Sequence, residues 1–93
     1  MYIGYSLEVS YYVEDKIKAK HGISIIEVEN SVRSRNAYYR RGRGKEIYEV
    51  LTRSEYGEFM LIVLRKLSGT RYKLLTARPM KENEKKFYET KKR

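Results

Sequence analysis

The side chains in this sequence best equipped for chemistry are cations and phenols. Arg33, Arg35, Arg40, Arg41, Arg43 and Lys45 follow one another with Tyr38 and Tyr39 among them and no acid between. A second group runs Arg71, Tyr72, Lys73 and Arg78, with Tyr88 further on. Guanidinium groups pair with phosphate oxygens, and aromatic faces stack on bases. Interleaved Arg and Tyr therefore suit single-stranded nucleic acid. On this ground Arg40, Arg41, Arg43, Lys45, Tyr38 and Tyr39 are candidate RNA-binding residues, at a turn that Gly42 and Gly44 should leave mobile. The competing reading is a solvated hairpin tip.

Other chemistries are narrowed by elimination. There is no cysteine, so there is no thiolate nucleophile, disulfide or Cys-held metal. A single histidine, His21, cannot supply an acid–base pair of imidazoles, and its place before Gly22 favours a role at a helix end. Glu46, Glu49, Glu55 and Glu58 show no metal-ligand spacing, and no glycine-rich phosphate loop is present. No metal and no cofactor are expected. Arg, Lys and Tyr suffice for RNA scission if the substrate's own 2′-hydroxyl is the nucleophile. Each preorganised cation then contributes about 10²–10³ in rate. A positioned acid or base adds about 10²–10⁴.

Composition points the same way. The 93 residues make one domain, residues 1–93, with 21 Lys and Arg against 12 Asp and Glu, a net charge of +9. A surface this basic attracts polyanions, nucleic acid above all, unless the charge serves solubility alone. Ten Tyr and two Phe supply bulk to a chain too short for a large core. The longest apolar run, Phe59 to Leu64, is too short to span a bilayer, and no signal peptide is visible. The expectation is a cytoplasmic protein with no membrane partner.

The elements that must position these residues are legible from periodicity. Residues 2–10 alternate as a first edge strand. Val13, Ile17 and His21 then share one helix face, closed by Gly22. Ser24 and Glu27 form a capping box for a second helix, stapled by Ile23 and Val28. From Ala37 the period becomes two. Ala37–Arg40, Ile47–Arg53, Phe59–Leu67 and Arg71–Ala77 read as an antiparallel meander, stopped at Arg78-Pro79. Residues 81–91 form a closing helix. The fold class is α+β: two N-terminal helices, a meander of about four strands and a C-terminal helix.

Strict alternation in the last strand puts Tyr72, Leu74, Thr76 and Arg78 on one face, and Arg71, Lys73 and Leu75 on the other. Arg71 and Arg78 share a face only if a bulge intervenes. Arg53 and Arg65 lie at strand ends, where charges commonly block aggregation.

The run Gly69-Thr70-Arg71-Tyr72-Lys73-Leu74-Leu75-Thr76-Ala77-Arg78-Pro79-Met80, followed by Glu84 and Tyr88, resembles the C-terminal signature of the BrnT family of ribonuclease toxins. Lys18-Ala19-Lys20-His21-Gly22-Ile23-Ser24 resembles the family's element between its first two helices. Lys81 stands where the family often has a capping Ser or Thr. The resemblance implies a RelE-like fold and an endoribonuclease that halts translation. It also implies a cognate antitoxin, usually DNA-binding, and a complex on operator DNA. By position it makes Arg78 the candidate phosphate contact and Arg71 a second. Lys73 stands in support, and Tyr88 is either a proton-transfer group or a packing ring. Glu84 is expected to pair with a strand arginine. Two other readings stay open: a basic RNA- or DNA-binding module without turnover, and a fold relative directed at a protein target.

Overall fold

Local chemistry starts and stops the two N-terminal helices. In α1 (Tyr11–His21) the Ser10 hydroxyl accepts the Val13 N–H at 3.2 Å. At its other end Gly22, at φ 68°, donates its N–H to the Lys18 carbonyl at 2.9 Å, a left-handed cap that favours glycine. In α2 (Ile25–Val32) Ser24 is the N-cap and accepts the Glu27 N–H at 3.2 Å, while Ile23 and Val28 are both buried. The stop at Gly22 and the start at Ser24 are the boundaries that the sequence predicts.

A computed structural model describes residues 6–91 of the chain. The strands are β1 (Ser6–Glu8), β2 (Tyr38–Arg41), β3 (Ile47–Arg53), β4 (Phe59–Ser68) and β5 (Arg71–Pro79), and helix α3 (Glu82–Lys91) closes the order. They form one five-stranded sheet in the order β1-β5-β4-β3-β2. The meander β2 to β5 is antiparallel throughout, as expected. The first edge strand is present over Ser6–Glu8, and it pairs parallel to β5. Residues 2–5 of the anticipated strand lie outside the described residues.

The sheet is covered on both faces, which is why β4 is apolar on both. Met60, Ile62 and Leu64 join Ile17, Val28, Val32, Val50, Leu74 and Ala77 in the core under α1 and α2. Leu61 turns the other way and packs with Leu51 and Tyr88 under α3. The result is an α+β domain of three layers. No helix among the described residues is long and apolar enough to cross a membrane.

Candidate functional site

The geometry of β5 decides which cations stand together. Val63 of β4 opposes Thr76, but its neighbour Leu64 opposes Leu74, so Leu75 has no opposite residue. This is a β-bulge. Its effect is visible in the core, where Leu74 and Ala77, three apart, are both buried against α1 and α2. Thr76 and Arg78 therefore share the α3 face with Arg71 and Lys73. Simple alternation would have separated them, and the unpaired Leu75 overrides it.

Pairing lines these side chains up in rows on the α3 face. The first row is Tyr38, Leu51, Leu61 and Arg78. The second is Arg40, Glu49, Val63 and Thr76. The third is Ile47, Arg65, Lys73 and Glu8. Successive rows are about 6–7 Å apart along a regular strand. Helix α3 packs on the first row, through Leu51 and Leu61.

Arg78 is held in place. Its Nη1 donates to Glu84 Oε1 at 2.9 Å and its Nη2 to Glu84 Oε2 at 2.7 Å, while Nη1 also reaches the Pro79 carbonyl at 3.0 Å. Glu84 Oε1 in turn accepts the Lys81 N–H at 2.7 Å. That last bond is one half of a capping box, made without the Ser or Thr that Lys81 replaces. Hydrogen bonding from Arg78 holds the Glu84 carboxyl below the usual glutamate range, against the upward push of burial. The same contact raises the Arg78 pKa, again against desolvation.

The remaining cations of this face divide into paired and unpaired. Arg40 Nε donates to Glu49 Oε1 at 2.8 Å, and its guanidinium carbon lies 4.9 Å from the centre of the Phe87 ring. Arg71 pairs with Glu8 of the edge strand. Arg53 lies over the Phe59 ring at 5.2 Å. Arg65 and Lys73 are exposed, and neither joins an ion pair among the described residues.

The basic run at 38–45 is not one patch. Tyr38 and Arg40 point to the α3 face, where Tyr38 meets Phe87 edge-on at 5.7 Å. Tyr39 packs with the opposite core, and its hydroxyl donates to the Val32 carbonyl at 2.8 Å. Arg41 lies over Tyr48 at 5.1 Å, and Tyr48 meets Tyr72 of the α1/α2 side. Arg43 and Lys45 are exposed at the turn. The pleat sends neighbours to opposite faces, so only alternate residues of the run act together.

Tyr88 is 4% exposed, and its hydroxyl donates to the Asn36 carbonyl at 2.7 Å. Burial pushes its pKa up. The ring meets Phe59 edge-on and ties α3 to the loop before β2. This is the environment of a packing ring.

Two residues outside the sequence-based candidate site join the face: Glu49, and Arg65, which lies inside the interior strand β4 and not at a strand end. Glu49 had a signal, since a carboxylate in Ile47-Tyr48-Glu49-Val50-Leu51 shares Leu51's parity and so its covered side. His21, the last residue of α1, borders a small concavity with Glu58 and Pro79, apart from the cationic rows. A cleft of about 260 Å³ lies between the end of α2 and the β3–β4 turn. Its charged lining is Glu27, Glu55 and Arg53, a poor match for phosphate. Among the described residues no cluster of three or more His, Cys, Asp or Glu is placed to hold a metal.

A five-stranded sheet with two helices on one face and a single helix on the other defines the architecture with which the chain can be compared. No protein-family profile and no curated protein matches its sequence. In three dimensions the chain is similar to the crystal structure of the Brucella abortus ribonuclease toxin BrnT. The TM-score is 0.67 at 9% identity, covering 85% of this chain and 100% of that one. The two share a fold, which is the fold anticipated from the C-terminal motif.

Proposed function

We propose that this chain is a ribonuclease toxin, a metal-independent endoribonuclease whose working surface is the α3 face of its sheet. The observation that carries the proposal is the bulge at Leu75, which gathers Arg71, Lys73, Thr76 and Arg78 on one side. The fold shared with a ribonuclease toxin supports the same reading.

The scissile phosphate would lie over the second row, near Thr76, with Arg78 and Arg40 on either side. Glu49 is the carboxylate at the centre of that row and the candidate to take the 2′-hydroxyl proton. The cations stabilise the charge that develops as the 2′-oxygen attacks phosphorus. Arg78, clasped by Glu84, is preorganised rather than free to roam. Lys73 and Arg71 extend the positive field along β5. Tyr88 is assigned to packing, because its hydroxyl is buried and already bonded. A basic surface of this extent calls for an acidic partner in the cell, and a small antitoxin laid over the α3 face fits it. The site of action would be the cytoplasm, on RNA, with growth arrest through translation as the outcome. Operator DNA would be reached through the antitoxin.

The test uses purified protein and single-stranded RNA in the presence of a chelator, with and without ribosomes. The expected products carry a 2′,3′-cyclic phosphate and a 5′-hydroxyl, and a 2′-deoxy nucleotide at the cut position should block cleavage. Intact RNA with folded protein in every arm would leave a binding module in its place. Growth arrest on induction, relieved by a small protein encoded beside it, would test the antitoxin.

A further inference from the structure

We propose that Arg65 and Lys73 form a second phosphate seat, which grips the RNA backbone away from the bond that is cut. The inference rests on the RNA reading above. Arg65 of β4 and Lys73 of β5 are direct register partners. Their side chains stand on the same face, because Leu64 and Leu74 beside them are both buried on the other. Like charges directly opposite each other in a sheet destabilise it, so the pair is a standing cost to the fold.

Protection of a sheet edge does not account for that cost. β4 lies between β3 and β5, and β5 lies between β4 and β1 in this part of the sheet. Both residues are thus on interior strands. Among the described residues no carboxylate forms an ion pair with either. Glu8, beside Lys73 in the row, is paired with Arg71, and the residue beyond Arg65 is the apolar Ile47. The other strand cations of this face are engaged by Glu84, Glu49, Glu8 or the Phe59 ring. Two exposed, adjacent and uncompensated cations are what a phosphate diester requires from a surface. Lys73 stands two rows from Arg78, about 13 Å along the strand. A phosphate held here is therefore a different one from that beside Arg78.

The experiment measures binding of a 2′-O-methyl RNA oligonucleotide, which cannot be cut by 2′-hydroxyl attack, over a range of KCl concentrations. Each lost phosphate contact should reduce the slope of log K against log salt by about 0.7 for a single strand. R65Q with K73Q, which removes the one seat, should lower the slope by about 0.7. Arg65→Glu gives Lys73 a carboxylate opposite, with only the apolar Ile47 on its other side, and should weaken binding while raising Tm at low salt. An unchanged slope in folded variants would overturn the seat, and so would a Tm that falls on Arg65→Glu. A slope that falls in the variants, when the wild type itself never cleaves RNA, would uphold the seat and remove the catalysis.

Discussion

Arg78 of β5 and Glu84 of α3 meet as fork and carboxylate, with paired contacts of 2.9 and 2.7 Å, on side chains only 27% and 12% exposed. The clasp joins the strand that carries the candidate site to the helix that covers one end of it. Glu84 also accepts the Lys81 N–H, so one carboxylate caps α3 and anchors it.

Removing that charge should loosen both. Glu84→Gln is expected to cost about 1–2 kcal/mol, given charged hydrogen bonds discounted for partial exposure. For a domain of this size that is a fall in Tm of roughly 4–16 °C. Thermal unfolding followed by circular dichroism measures it. A shift within error would mean that α3 is held by its apolar face alone.

The same clasp sets a pH dependence. Glu84's pKa is lowered in the folded state, so as pH falls the unfolded chain takes up the proton first. Its stabilisation is complete above the ordinary glutamate pKa of about 4.3 and drains away below it. Tm plotted between about pH 6 and 3 should fall less steeply in Glu84→Gln than in wild type. Parallel curves would show that other carboxylates govern acid unfolding.

Tyr88→Phe separates packing from proton transfer. The loss of the bond to Asn36 should cost about 1 kcal/mol, with RNA cleavage changed by no more than a few-fold. A drop in kcat of about 10² or more, with Tm barely moved, would return Tyr88 to the chemistry.

Glu49→Gln addresses the proposed base. A reduction in kcat of about 10²–10⁴ is expected, with oligonucleotide affinity nearly preserved. If affinity and kcat fell together, Glu49 would be only the counter-ion of Arg40.

Features with a local cause were legible in the sequence. Ser24, Ile23 and Val28 mark the start of α2, Gly22 marks the end of α1, and β3 runs over Ile47–Arg53 as its alternation implies. The C-terminal motif led to the fold. What was not legible depends on a partner strand. The parallel pairing of β1 is made with β5, a neighbour more than sixty residues away in the chain. The bulge arises where Leu64 passes over Leu75 to meet Leu74, and neither leucine announces it. In the basic run at 38–45, charge density hides the pleat that sends Tyr38 and Tyr39 to opposite cores.

The extra residue at Leu75 also gives β5 a parity. Lys73 and Arg71 stand five and seven positions before Arg78, odd intervals that a regular strand would assign to opposite sides. A chain of this architecture without the extra residue would need even intervals to present the same charges. Odd or even spacing before the Ala-Arg step is thus a fingerprint readable in other sequences. It distinguishes strands that carry the irregularity from those that do not, before any coordinates exist.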